Sequence, residues 1–170
     1  MTAEAAAMVQ EAVTQESQQV LTFTLGAESY GVDILRVQEI RGWTSVTRIP
    51  QAPEHVLGVL NLRGSIVPII DLRRRFGIGE AAFTPLTVII VLLVELPGGR
   101  REFGLVVDGV SDVVDITATN MKPPPEIGGR VDGAFLKGLA TVSDAMVILL
   151  DVDTLISKEV ALVAVEEQEH

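Results

Sequence analysis

Few residues in this chain of 170 have the type and spacing needed for chemistry. It has no cysteine and two histidines: His55, in a loop after Pro53-Glu54, and His170 at the chain end. A zinc site needs three or four suitable ligands, and a single internal histidine does not provide them. A Ser-His-Asp arrangement would have to use His55, yet no Gly-x-Ser-x-Gly elbow occurs. Phosphate-cradling glycine loops and calcium loops are missing too. Glu28 and Asp33 could approach in a hairpin, but solvated strand ends explain them more simply. What remains is recognition by charge. Arg63, in Asn61-Leu62-Arg63-Gly64, offers five donors in a rigid fork that fits a carboxylate. Glu39 lies on an apolar stretch upstream and is a possible internal partner for it. The sequence therefore predicts no enzyme, no cofactor and no metal.

The elements that must position these groups are strands. Nearly half of the residues are apolar, only seven are aromatic, and Val, Ile and Leu supply most of the rest. Branched side chains favour a pleated sheet. Alternation at Leu21, Phe23 and Leu25 marks a first strand, and a turn at 26–29 leads into a second at 30–34. Residues 37–42, 56–62 and 65–70 look extended. Asp71 and Gly77 bracket a short helical turn as cap residues, which leaves Arg73, Arg74 and Arg75 as a solvated helix face. Residues 88–94 are apolar on both faces, as in a strand buried on both sides. Further strands are expected at 101–107, 136–142 and 146–150, with a closing helix capped by Asp151.

The two halves of the chain repeat each other. Tyr30-Gly-Val-Asp-Ile-Leu-Arg-Val-Gln-Glu-Ile40 aligns without gaps on Phe103-Gly-Leu-Val-Val-Asp-Gly-Val-Ser-Asp-Val113, and residues 58–72 align on 138–152. About five short strands per half predict two small β-barrels packed together, with the Val88 strand near a shared core. The repeat is also an internal control, because positions common to both halves serve the barrel. Asn61-Leu62-Arg63-Gly64 falls on Thr141-Val142-Ser143-Asp144, so the fold accepts Ser where Arg63 stands.

Charge narrows the partners. The net charge is −10, with seven arginines against six acids in residues 20–80 and fourteen acids against six basic residues in 81–170. Such a surface repels phosphate backbones, so nucleic acid is not expected as a partner. The first residues lack a basic start followed by an apolar run, and no apolar stretch is long enough to cross a bilayer. A soluble cytoplasmic protein is expected.

Three blocks resemble the CheW family. They are residues 30–42 with Thr47-Arg-Ile-Pro50, then Gly58-Val-Leu-Asn-Leu-Arg-Gly-Ser-Ile-Val-Pro-Ile-Ile-Asp-Leu72, and Val107-Asp-Gly-Val-Ser-Asp-Val113. The resemblance implies an all-β fold of two five-stranded SH3-like barrels, with short helices at chain ends and linkers. Residues 19–157 would form the CheW-like domain, the first barrel mainly from 20–83 and the second mainly from 86–150. Residues 1–18 would be a flexible tail, and 158–170 a helix end with an acidic tail.

The same resemblance implies a non-enzymatic adaptor. It would join the cytoplasmic tip of a methyl-accepting chemoreceptor to the regulatory domain of the CheA histidine kinase, at membrane-bound arrays. Carried over by position, Val37, Glu39, Gly58 and Arg63 fall on receptor-contact positions, and Lys122 and Ile127 on kinase-contact positions. Alternatives remain for each: Arg63 as an internal brace to Glu39, Val37 as core, and 121–127 as a stiff polyproline connector. A same-family protein of a non-flagellar pathway is the nearest rival function, and a small-ligand-binding barrel is the rival from another class.

Overall fold

The computed structural model describes residues 18–78, 82–123 and 135–158. The amino-terminal tail, the loop carrying Ile127 and the acidic chain end lie outside these. In chain order the strands are β1 (Gln18–Leu25), β2 (Glu28–Asp33), β3 (Val37–Gly42), β4 (Val56–Leu62) and β5 (Ser65–Asp71). After the short helix α1 (Leu72–Phe76) come β6 (Val88–Leu96), β7 (Gly99–Val107), β8 (Gly109–Ile116) and the two-residue β9 (Met121–Lys122). The last are β10 (Leu136–Val142) and β11 (Ala145–Leu150), and helical residues 152–158 follow.

The strands form two mixed sheets, a five-stranded one ordered β3-β6-β7-β5-β4 and a six-stranded one ordered β8-β1-β2-β11-β10-β9. Under the sequence repeat, β1 to β5 correspond to β6, β7, β8, β10 and β11. Exchanging one set for the other converts the first order into the second, with β9 added at its edge. The strands of 20–83 and of 86–150 are therefore divided between the sheets. The β1–β2 hairpin sits with β8, β10 and β11, while the β6–β7 hairpin sits with β3, β4 and β5. Each half has lent its first hairpin to the other.

The exchange is sealed by two parallel seams, β2 on β11 and β5 on β7. At the first, Gly31 lies opposite Leu149, and at the second, Gly104 lies opposite Ile69. These are equivalent places, and both need glycine for the same reason. A Cβ on Gly31 would fall 2.4 Å from Val20 Cγ1, and one on Gly104 would fall 2.5 Å from Ile69 Cδ1 and 2.8 Å from Ile89 Cγ2. The strands can approach only where no side chain intervenes.

Alternation along the strands produces three cores. Ile89 and Val91 join Leu62, Val67, Ile69 and Val106 inside the five-stranded sheet. Val20, Ile116, Ala140, Val147 and Leu149 fill the six-stranded one. The opposite faces meet in the largest cluster, where Ile90, Leu92 and Val94 of β6 pack with Leu21, Phe23 and Leu25 of β1. The two-faced apolar character of β6 is thereby explained: one face lines a barrel interior and the other the shared core. Each such side chain taken fully out of water contributes about 1.5–3 kcal/mol, so this strand is the most heavily committed to the fold.

The helical turn α1 begins as its cap residues foretell. Asp71 accepts from the Arg73 backbone N–H at 3.0 Å, and Gly77 closes the turn in the left-handed region at φ 65°. The arginine run departs from expectation, because Arg73 is buried, its side chain only 1% exposed. Its guanidinium pairs with Asp71 at 3.0 Å and with Asp108 at 3.1 Å, and donates to the Ala82 carbonyl. Burial alone would lower its pKa, but the two carboxylates outweigh that and hold it above its ordinary value. A buried cation persists here because partners surround it.

Close packing at the seams gives a direct test. Gly104→Ala should lose about 1–3 kcal/mol of stability in urea unfolding. Gly42→Ala, where a Cβ meets nothing within 4 Å, should stay within about 1 kcal/mol of wild type.

Candidate protein-binding surface

Glu39 and Arg63 come together at the closing edge of the five-stranded sheet. β3 and β4 are its outer strands. The segment after β3 reaches across to β4, where Thr47 and Val59 exchange backbone hydrogen bonds of 3.0 and 2.8 Å. Arg63 occupies the two-residue turn between β4 and β5, and donates to Glu39 Oε1 on β3 at 3.1 Å. The ion pair thus spans the same two edges that the backbone bridge closes.

Local geometry leaves this arginine outward. Arg63 and Gly64 both have positive φ, 54° and 89°, as a tight hairpin turn requires. The Asn61 side chain accepts from the Gly64 N–H at 3.0 Å and fixes the turn. The Arg63 side chain is 75% exposed, against 30% for Glu39. A second guanidinium, that of Arg41, stands 3.6 Å from the same Glu39 oxygen. Arg41 Nε is buried and meets no acceptor among the described residues. The sequence reading passed over Arg41, although strand alternation places residues 39 and 41 on one face and could have revealed it.

The other expected positions separate. Val37 begins β3 opposite Leu92, half-buried against the shared core, with a bulge at Gln38 between it and Glu39. The repeat reproduces this bulge at Ser111 in β8. Gly58 presents no side chain and stands at a bulge in β4 with φ 149°. A Cβ there would lie 2.1 Å from the Thr47 carbonyl oxygen. Its counterpart Gly138 has the same relation to the Lys122 carbonyl, 2.7 Å from such a Cβ, so backbone approach accounts for glycine at both places. Lys122 is exposed on β9, in the other sheet, remote in topology from Arg63. Ile127 lies outside the described residues.

Among the described residues no group of three potential ligands could hold a metal, and no helix is long and apolar enough to cross a membrane. One cleft is lined by Trp43, Ser45, Val46, Leu57 and Phe83, with Arg48 and Arg74 beside them. The charged edge, with exposed Ile40 and Ile66 nearby in sequence, is the candidate protein-binding surface.

Comparison with known proteins agrees. Residues 19–160 match the family model described as CheW-like domain. The chain is 49% identical over 142 residues to the chemotaxis protein CheW of Klebsiella aerogenes, covering 84% of this chain and 83% of that one. It is 37% identical to a probable chemotaxis protein CheW of Rhizobium etli, covering 87% and 93%. The crystal structure of the scaffolding protein TtCheW from Thermoanaerobacter tengcongensis superposes with a TM-score of 0.72 at 38% identity, covering 79% of this chain and 89% of that one. The chain belongs to the CheW family, the non-enzymatic scaffold and coupling proteins of chemotaxis signalling.

The exposed pair and the packed glycine should respond oppositely to substitution. Arg63→Gly relieves a left-handed backbone at the cost of a solvated ion pair, so unfolding free energy should stay within about 1 kcal/mol of wild type. Gly58→Ala drives a Cβ into backbone and should lose about 2–4 kcal/mol in the same urea titration.

Proposed function

We propose that this protein couples the cytoplasmic tip of a methyl-accepting chemoreceptor to the regulatory domain of a CheA-type histidine kinase, in the cytoplasm at membrane-bound receptor arrays. The carrying observation is the Arg63 guanidinium. It is 75% exposed, held at a barrel edge by Glu39, and placed where the repeat uses Ser143. A groove that takes one face of a receptor helix needs a few orienting charges beside apolar surface. Arg63 can leave Glu39 for a receptor carboxylate at little cost, because exposed pairs of this kind are weak. Val37, Glu39 and Gly58 are assigned to the same receptor surface, with Gly58 also admitting the Thr47 carbonyl close to β4. On the six-stranded sheet, Lys122, with Ile127 beyond it, is assigned to the kinase. Receptor and kinase then bind different sheets, and the adaptor's output is the coupling free energy between the two surfaces.

Binding of a purified receptor cytoplasmic fragment and of the kinase regulatory domain, each measured by calorimetry, tests this directly. Arg63→Ala should weaken the receptor fragment about tenfold and leave the kinase domain's affinity unchanged. Wild-type protein that binds neither fragment would sink the proposal.

A further inference from the structure

Two ion-paired struts join the sheets, each between a helix start and a strand junction, the arginine on the helix side in one and on the junction side in the other. In one, Arg73 follows β5 in α1 and reaches Asp108 at the β7–β8 junction, 3.1 Å away. Asp108 also accepts from the Gly26 N–H, in the β1–β2 turn, at 2.7 Å. In the other, Asp153 stands in the helical residues after β11 and takes both terminal nitrogens of Arg36, at 3.2 and 2.7 Å. Arg36 lies in the 3-10 turn at the β2–β3 junction. Asp153 also accepts from the Glu95 N–H at 3.0 Å.

The correspondence is positional. Asp153 is the repeat counterpart of Arg73, and the junction of β2 with β3 is the counterpart of that of β7 with β8. Gly26 and Glu95 are equivalent through the pairing of β1 and β6, since Phe23 faces Val110 as Leu92 faces Val37. Each strut thus links an exchanged hairpin, a strand junction and a helix start through an arginine–aspartate pair, with Asp71 a second carboxylate on Arg73. The arginine sits on the helix in one half and on the junction in the other. The two arginines differ in burial, 1% exposed for Arg73 and 27% for Arg36, whereas Asp108 and Asp153 are 32% exposed alike.

We propose that the Arg36–Asp153 pair is a positioning device for β3, setting the strand that carries Val37 and Glu39 against the helix that follows the six-stranded sheet. The inference deepens the receptor reading above and rests on it for its functional meaning. Arg36 is the residue immediately before β3, so its bidentate anchor fixes where that strand begins. Arg36 also donates to the Leu93 carbonyl at 3.4 Å, tying the same guanidinium to β6, the strand β3 pairs with. Of the two arginines, the one beside β3 is therefore the more accessible to solvent.

The test uses the full chain in three forms: Arg36→Gln, Asp153→Asn, and the charge swap Arg36→Asp with Asp153→Arg. Amide hydrogen exchange across Val37–Gly42 and affinity for the receptor cytoplasmic fragment and for the kinase regulatory domain are read for each. Either single variant should speed exchange in β3 and weaken the receptor fragment, each about tenfold, without changing kinase-domain affinity. The swap should restore both, because it returns an opposite-charge pair between the same two elements. Unchanged β3 exchange in the single variants, an equal rise at every amide, or no recovery in the swap overturns the proposal. If β3 exchange follows the expected pattern while wild-type protein fails to bind the receptor fragment, the positioning role stands and the receptor reading falls.

Discussion

The parallel seams between the halves are the constraint from which the rest of the architecture follows. β2 lies on β11 and β5 on β7, so neither half can complete a sheet from its own strands. A parallel pair cannot be closed by a tight hairpin and needs a longer connection. Here that connection is supplied by lending the first hairpin across the molecule. Gly31 and Gly104 are the places where this is possible, because in each the neighbouring branched side chains already occupy the space of a Cβ.

Once the hairpins are exchanged, the shared core is obligatory. β1 and β6 each sit in a sheet with one face inward, and their other faces meet in the shared core together with Leu72, Phe76, Leu155 and Ile156 of the helical segments. That arrangement ties the two halves together, since removing either hairpin would open one barrel interior and the shared core. It also explains why charge is tolerated inside. Arg73 enters the boundary between sheets because Asp71 and Asp108 arrive from two different elements to meet it. Breaking such a pair leaves a buried charge uncompensated, which costs far more than the pair itself contributes.

Much of this was legible in the sequence, and the remainder was hidden for identifiable reasons. Asp71 and Gly77 announced the ends of α1 because cap chemistry is local. Residues 88–94 announced a two-faced strand because nothing polar interrupts them. The repeat announced two equivalent units. It could not announce which half pairs with which, since the hydrophobic pattern of β1 suits the sheet of either half equally well. β9 is too short to leave a periodic signal, and the bulges at Gln38 and Ser111 break the alternation that would have located them. Arg73 read as solvated because a run of three arginines normally is, and its partner Asp108 lies thirty-five residues away. At the candidate surface, Glu39 and Arg63 were found together with their pairing, whereas the glycine at 58 was explained only by the Thr47 carbonyl above it.

The remaining asymmetry concerns Arg63 itself. A left-handed backbone costs a non-glycine residue roughly 1–2 kcal/mol, and Asn, Asp or Gly would occupy φ 54° more readily. The equivalent turn carries Ser143 and Asp144 at φ 49° and 65°, which shows that the hairpin closes without an arginine. The pair with Glu39 returns at most about 1 kcal/mol, because the guanidinium is largely solvated. Stability therefore gives no reason to place arginine at this turn. A turn residue that the fold would rather not have, aimed outward and tethered by a weak contact, meets the energetic requirement of the proposed receptor contact: what it loses on leaving Glu39 is small compared with what a desolvated carboxylate on a partner can return.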